Sequence, residues 1–330
     1  MNNNYFILSK SQLSIERFQI CTWKLKGKNA FVELGVEIKN ENLPGEFDVF
    51  LAVPFSENIV KKHSLHEQLT IADNCKLIFN DTMTNQQLID RDSHKGSIVT
   101  FDNRDTLAVV AVEPFILRDD GLIKVHVKTP HEDAVSVYFR VLVELDIKDT
   151  AIVHAGINKK SYIYDFKVNE ARNLPEIVYK YKEKYGLSIC GIASVFLFHC
   201  IPDDYNISYI DSGKLRNVRR LETESFNKYL KDIETIDEDK YMIVFLKSKG
   251  NENYSFFTTF VKEHIGNKQI IFAILANIFC SFLFAYETWK NWTVVKLLIK
   301  YASLYPMWTC LVAILIVIAI YLVIKKRSES

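Results

Sequence analysis

The segment AVSVYFRVLVELD at residues 134–146 carries the pattern that decides the fold. Its side chains fall into two alternating sets, as in a β-strand, where successive side chains point to opposite faces of a sheet. β-Branched and aromatic residues are frequent in it, and these residue types favour strands. We therefore predict a strand here. The two sets are Val135, Val137, Phe139, Val141 and Val143 on one face, and Ser136, Tyr138, Arg140, Leu142 and Glu144 on the other.

Similar short segments recur from about residue 17 to residue 146. Turn-forming sequences separate them, among them KGKN at 26–29, NLPG at 42–45 and DDG at 119–121. About eight such strands, with one weakly indicated helix near 57–69, are typical of an all-β sandwich or barrel. We predict such a domain over residues 1–149.

Residues 150–264 mix helical and strand patterns. NLPEIVYKYKEKYG at 173–186 predicts a helix, with Asn173 as its cap, Pro175 in its first turn and Gly186 at its end. ETESFNKYLKDIE predicts a second helix. LSICGIASVFLFHC at 187–200 is apolar but too short for a membrane span, so it predicts one or two buried strands. The segment 240–263 predicts a hairpin with its tip at 249–251. We expect a small α+β domain, or a second β-rich lobe with two helices.

The C-terminal region 265–330 contains two long runs without charged residues, at 270–286 and 307–324. A helix that spans a bilayer needs about 20 apolar residues. Aromatic residues flank both runs, as at a membrane interface. We predict a transmembrane helical hairpin with spans at about 269–287 and 306–324. The alternative is a pair of buried helices in a soluble protein.

The linker 290–304 between these runs has the pattern of an amphipathic helix. Val294, Leu297, Leu298 and Tyr301 share one side, and two lysines lie on another. Such a helix would lie in the membrane interface, although the linker is equally compatible with a simple connection between spans. The predicted interfacial residues are Lys290, Lys296, Lys300, Trp289 and Trp292.

The first run carries small or polar residues at every fourth position. These residues are Ala273, Asn277, Ser281 and Ala285. Small residues let helices approach closely, and Asn forms hydrogen bonds across helix interfaces in lipid. The stripe predicts packing against the second span, packing between copies of the chain, or the polar lining of a pore.

Charge and cysteine content indicate where the chain works. The first residues lack the basic and apolar regions of a signal peptide, and six cysteines are scattered without a framework, which favours a reducing compartment. Residues 265–330 hold seven basic and two acidic residues, while the rest of the chain is slightly acidic. We expect no direct nucleic-acid binding. Lysines and arginines around the spans predict an inner-membrane protein with both ends in the cytoplasm.

Sequence motifs for catalysis are missing. The sequence has no glycine-rich phosphate loop, no GxSxG and no HExxH motif. His63 and His66 are better explained as a solvated pair than as metal ligands, and Cys190 and Cys200 offer a pair of thiols or metal ligands only as an alternative. We expect a protein that is not an enzyme and has no metal site and no cofactor.

A basic cluster lies in GKLRNVRR at residues 213–220. Guanidinium groups suit phosphate and carboxylate partners, so the cluster is a candidate site for a nucleotide, a lipid headgroup or an acidic protein surface. The alternative is a solvated segment whose charges pair with Glu222 and Glu224. The cluster consists of Lys214, Arg216, Arg219 and Arg220.

The order of soluble region, span and span resembles the two-span membrane effectors of prokaryotic antiphage immunity. The resemblance implies an effector whose cytosolic β-rich region binds a protein partner or a signal. Its spans would assemble into homo-oligomers and permeabilise the lipid bilayer, a toxicity of the abortive-infection type. The alternatives are a binding or scaffold protein with a passive hairpin anchor, and a membrane-bound enzyme with an unrecognised site.

Overall fold

The computed structural model divides the chain into two compact units, Met1–His264 and Ile265–Ser330. The structure describes residues 3–41, 43–91, 94–117, 121–130, 136–156, 158–170, 172, 174–236, 240–263, 267–289 and 293–305.

The first unit is built mainly from strands. They are β1 (Asn4–Ser9), β2 (Ser14–Trp23), β3 (Phe31–Lys39), β4 (Glu46–Ala52), β5 (Ile59–Ser64), β6 (Met83–Arg91), β7 (His94–Phe101), β8 (Leu107–Val110), β9 (Glu113–Leu117), β10 (Leu122–Lys128), β11 (Ser136–Leu145), β12 (Ile152–Ala155), β13 (Lys159–Val168), β14 (Ser188–Ile189), β15 (Gly191–Ile192), β16 (Ser194–Pro202), β17 (Asn206–Ile210), β18 (Leu215–Arg220), β19 (Tyr241–Lys249) and β20 (Tyr254–Glu263). The helices are α1 (His66–Leu69), α2 (Ala72–Phe79), α3 (Glu176–Tyr185) and α4 (Thr223–Tyr229), followed in the second unit by α5 (Asn267–Trp289) and α6 (Thr293–Leu304).

The strands form two mixed sheets. Sheet 1 has the order β17-β20-β13-β1-β4-β10-β9, with β12 beside β13 and β14 beside β1. Sheet 2 has the order β18-β19-β16-β2-β3-β11-β8-β7-β6, with β15 beside β2 and β5 beside β11. Parallel pairing joins β1 to β13 and β2 to β16. Strands from 1–149 and from 150–264 are therefore hydrogen-bonded within the same sheets.

The main hydrophobic core collects one set of alternating side chains from strands of both sheets. On β11, Val137, Phe139 and Val141 belong to this core and are fully buried. Tyr138 and Leu142, from the other set, join a second apolar cluster with residues of α1, α2 and α4. The strand predicted from its alternation is thus buried on both faces.

Helices cover parts of the outer faces of the sheets. On sheet 2, Trp23 stacks on Phe31 and meets Phe226 of α4 edge-on. On sheet 1, α3 packs Val178 and Tyr181 into a third apolar cluster. As predicted, α3 ends at Gly186, which has the left-handed conformation that glycine adopts without strain.

The predicted hairpin at 240–263 is wrong. Its two halves are the strands β19 and β20, but β19 pairs with β16 and β18 in sheet 2, whereas β20 pairs with β13 and β17 in sheet 1. Both strands carry one apolar set of side chains, and each set faces the core between the sheets. The connection near Gly250 therefore crosses from one sheet to the other.

The predicted transmembrane hairpin is also wrong. Among the described residues, no helix is both long and apolar enough to cross a membrane. The uncharged run in α5 has 17 residues, at the lower limit for a span, for which about 20 are usual. Helix α6 lies in the predicted linker 290–304, and its 12 residues make about 18 Å of helix, well short of a hydrocarbon core of about 30 Å. This finding corrects the predicted hairpin and the predicted inner-membrane localisation. The predicted second span, 306–324, lies outside the described residues.

Candidate functional site

A cavity of about 560 Å³ opens on the outer face of sheet 2. Strands β18, β19, β16 and β2 form its floor, and the end of α2 and Phe226 of α4 border it. Alternation explains the floor, because Val195 and Leu197 of β16 point into the core while Phe196 and Phe198 point outward. We call this cavity the basic pocket.

Six basic side chains line the basic pocket, and no acidic residue is among the lining residues that the structure describes. The basic residues come from β2, β11, β18 and β19, segments far apart in the sequence. A concentration of one sign of charge in a concave surface raises the local potential and attracts counter-ions. The six are Arg17, Arg140, Arg216, Arg219, Lys247 and Lys249.

Register places these side chains in rows across the sheet. One row runs through Cys21, Phe198, Phe245 and Asn217. The next contains Gln19, Phe196 and Lys247, and beyond it lie Arg17 and Lys249. The pocket therefore grades from a mainly apolar end beside α4, where Arg219 lies opposite Ile243, to a cationic end. The rows are two residues apart along each strand, or about 7 Å.

Carboxylates only partly neutralise the cationic end. Nε of Arg17 lies 3.6 Å from Oε2 of Glu37, which also accepts a hydrogen bond from Arg104. The buried Nε of Arg17 makes no hydrogen bond within the described structure. Two arginines thus share one carboxylate, while Lys247 and Lys249 form no ion pair with any described residue.

The cations of the pocket also repel one another. Burial lowers the pKa of the Arg17 guanidinium, and the positive charge of Arg104 lowers it further. Burial lowers the pKa of Lys247 too, and the charges of Arg17, Lys249 and Arg216 add to this effect. A bound anion would offset the cost of desolvation and relieve the repulsion.

A buried polar network supports the floor of the pocket. Arg140 donates from Nε to Oε2 of Glu33 over 2.6 Å and from Nη1 to Oε1 of Gln19 over 2.9 Å. Glu33 also accepts from Nε1 of Trp23 at 2.7 Å and from the Tyr229 hydroxyl at 2.8 Å. Burial opposes the charge on Arg140, but the adjacent Glu33 raises its pKa well above the ordinary value. The charge of Arg140 therefore stabilises the fold through Glu33 rather than serving to bind a ligand.

The predicted basic cluster is divided: alternation puts Arg219 and Arg220 on opposite faces of β18, and a register shift between Leu215 and Asn217 brings Arg216 to the pocket side as well. Arg216 and Arg219 line the basic pocket, and Arg219 lies 3.4 Å from Glu222. Lys214 pairs with Asp211 at 2.8 Å outside it, and the Arg220 side chain is 76% exposed. Sequence reasoning therefore found two members of the site and missed Arg17, Arg140, Lys247 and Lys249.

The other predicted site residues lie in the second unit. The stripe Ala273, Asn277, Ser281 and Ala285 is on α5, and Trp289 is the last residue of that helix. Lys296 and Lys300 are exposed on α6, whereas Lys290 and Trp292 lie outside the described residues. Among those whose side chains the structure describes, none lines the basic pocket.

The described part of the chain holds no group of three or more histidine, cysteine or acidic residues that could bind a metal ion. Cys200 lies beside Cys21, with 3.8 Å between their Sγ atoms, rather than beside Cys190. Burial raises the pKa of Cys200 well above its ordinary value, which disfavours a reactive thiolate.

A second cavity, of about 700 Å³, lies at the β9–β10 edge of sheet 1. Unlike the basic pocket, this cavity has an acidic residue in its described lining. Lys124 and His126 both contact Asp48 at 2.9 Å, and Glu113 also lines the cavity. The basic pocket is therefore the stronger candidate for an anionic ligand.

No protein-family model matches the chain, and no curated protein matches it significantly in sequence. The chemistry of the basic pocket is therefore the basis for a function. Its described lining has no carboxylate, imidazole or hydroxyl group.

Proposed function

We propose that the unit Met1–His264 is a binding module that takes up an anionic small molecule in the basic pocket. One observation carries the proposal. Arg17, Arg216, Lys247 and Lys249 face a single cavity whose described lining contains no acidic residue. A set of like charges in one cavity destabilises the free protein and is useful when an anion binds there.

A solvated basic surface would have different neighbours. Cations in such a surface are exposed and surrounded by water, and pairing contributes little. Here the Arg17 side chain is only 22% exposed, and its guanidinium lies 4.4 Å above the Phe196 ring. The Lys247 ammonium lies 4.7 Å from the same ring. These two cations are therefore held in place before a ligand arrives, which reduces the entropic cost of binding, whereas Arg216 and Lys249 are exposed.

This proposal retains the ligand-binding part of the predicted function. The membrane-permeabilising part depended on the transmembrane hairpin and is not retained, because that hairpin is corrected. A protein partner, assembly into homo-oligomers and a role in antiphage immunity stay predictions.

Thermal unfolding of the full-length chain with and without sodium tripolyphosphate tests the proposal. A ligand that binds only the folded state stabilises it by RT ln(1 + [L]/Kd), about 2.7 kcal/mol at 100 times Kd. We expect tripolyphosphate to raise the midpoint of wild type. The double variant Lys247→Gln/Lys249→Gln should lose most of this increase.

The stabilities of the proteins without ligand distinguish a binding role of Lys247 and Lys249 from a structural one. If Lys247 and Lys249 serve binding, the double variant without ligand should be as stable as wild type or more stable, because repulsion is relieved. The matched control is Arg220→Gln, on β18 but outside the basic pocket, and it should respond like wild type. An equal response of all three proteins, or no response of wild type, would overturn the proposal.

A further inference from the structure

The basic pocket has two chemically different ends. Its apolar end includes Phe226, Phe198 and Phe245, and its cationic end includes Arg17 and Lys247. A ligand that is only an anion would leave the apolar end empty. The volume of about 560 Å³ lies in the range of about 300–1,000 Å³ typical of sites for organic ligands. The pocket therefore fits a molecule with an apolar part as well as an anionic part.

Three phenyl rings of the pocket lie together: two are stacked, and Phe196 lies against Phe245 with their centroids 5.4 Å apart. Phe198 and Phe245 stack with centroids 4.6 Å apart and planes at 8°, and both rings are only partly buried. Phe196 is already covered by Arg17 and Lys247. No cation of the described structure lies over Phe198 or Phe245. These two rings are therefore free to contact a flat ligand.

An amide lies beside this pair. Asn217 is opposite Phe245 in the β18–β19 register and lines the pocket. Its side chain makes no hydrogen bond to any described residue, so it offers both a donor and an acceptor. Flat heteroaromatic rings with polar edges suit such an environment, since they stack on phenyl faces and bind amides at their edges.

We propose that the ligand of the basic pocket is a free nucleotide, with its base against Phe198 and Phe245 and its phosphates among Arg17, Arg216, Lys247 and Lys249. This inference rests on the proposed anion-binding function and specifies its ligand class. Base and phosphates are joined through a sugar, which suits a site where the aromatic row and the Lys247 row are about 7 Å apart. The helices α2 and α4 border the apolar end, which favours a single base over a continuous strand.

Calorimetric titration of the full-length chain compares a nucleotide with its phosphate part alone. The probes are ATP, GTP, CTP and UTP on one side and sodium tripolyphosphate on the other. Stacking of one base strengthens binding on the order of 10-fold. We expect at least one nucleoside triphosphate to bind tighter than tripolyphosphate by this factor.

Two variants assign that gain to the rings. Phe245→Leu and Phe198→Leu should each weaken nucleotide binding several-fold while leaving the affinity for tripolyphosphate unchanged. The matched control is Phe257→Leu, an exposed ring on β20 of sheet 1, which should change neither affinity. Equal losses for nucleotide and tripolyphosphate in the ring variants would contradict the placement of the base.

The outcomes distinguish this inference from the function on which it rests. If tripolyphosphate binds and no nucleotide binds tighter, the nucleotide assignment is overturned while the anion-binding module stands. If none of the probes binds, both the nucleotide assignment and the anion-binding module are overturned. A single-stranded oligonucleotide that binds more tightly than every free nucleotide would overturn the assignment to a free nucleotide.

Discussion

Arg140 and Glu33 form an almost fully buried ion pair at the floor of the basic pocket, with 2.6 Å between Nε and Oε2. Glu33 lies on β3 and Arg140 on the neighbouring strand β11, while Tyr229 of α4 also reaches the carboxylate. The pair thus links the sheet to the helix that borders the pocket. Well-connected buried polar groups can favour one arrangement of their surroundings.

Replacing one partner of this pair should be strongly destabilising. In Glu33→Gln, the Arg140 charge stays buried without its carboxylate, and such a loss typically costs about 3–5 kcal/mol of unfolding free energy. Urea unfolding followed by circular dichroism measures it. The control Glu224→Gln removes an exposed partner of Lys228 and should hardly change the midpoint. A Glu33→Gln protein as stable as this control would show that the buried pair is dispensable.

Gly35 makes room for the same network. A Cβ at this position would overlap the hydroxyl of Tyr138, which donates to Oε1 of Gln19 over 2.7 Å. Gly35→Ala should therefore displace Tyr138 and destabilise the fold by about 1–3 kcal/mol, as overpacking does. Gly191→Ala is the matched control, because nothing lies within 4 Å of a Cβ there. Equal midpoints of thermal unfolding for the two variants would refute the steric role of Gly35.

His199 should make stability depend on pH. Burial lowers its pKa to about 3, because the ring lies among Tyr164, Phe166 and Phe260 and its Nε2 has no described hydrogen-bond partner. In the unfolded chain its pKa is about 6.5. As pH falls below that value, the unfolded state takes up a proton that the folded state does not, so stability falls by up to about 1.4 kcal/mol per pH unit until about pH 3.

The control for this effect is a variant that cannot titrate. Unfolding free energies of wild type and His199→Gln, measured across the same acidic range, should differ in slope, with the steeper slope for wild type. Parallel slopes would mean that His199 is not the neutral buried group described here.

Lys247 should make anion binding depend on pH in the alkaline range. Burial and the charges of Arg17, Lys249 and Arg216 lower its pKa. Because the anion prefers the protonated lysine, affinity for tripolyphosphate should fall as pH rises through this lowered pKa. Lys247→Arg keeps its charge to higher pH, so its affinity should persist further. The ionisation of tripolyphosphate changes with pH in the same way in both titrations. Identical pH profiles of the two affinities would therefore show that Lys247 does not contact the anion.

Local sequence patterns predicted those parts of the fold that local interactions determine. The alternation at 134–146 corresponds to β11, and the helix with Pro175 and Gly186 corresponds to α3. The turn near Gly250 was recognised, but the sheet that each neighbouring strand joins was not. That choice depends on pairing with β16 and β13, which are distant in sequence.

The site was only partly predictable for the same reason. Arg216 and Arg219 are close in sequence and stood out as a cluster. Arg17 and Lys247 each occur in an ordinary alternating strand, and only the parallel pairing of β2 with β16 and the antiparallel pairing of β16 with β19 bring them together. Charged residues on the outward positions of several strands are the one signal that could have indicated the pocket.

The most direct test of the central claim is a calorimetric titration of full-length wild type with tripolyphosphate, beside the double variant Lys247→Gln/Lys249→Gln. We expect saturable binding to wild type with a stoichiometry of about one, as a single pocket requires, and a large loss of affinity in the double variant. Heats no larger than dilution for wild type, or unchanged affinity in the double variant, would contradict the assignment of the basic pocket as an anion-binding site.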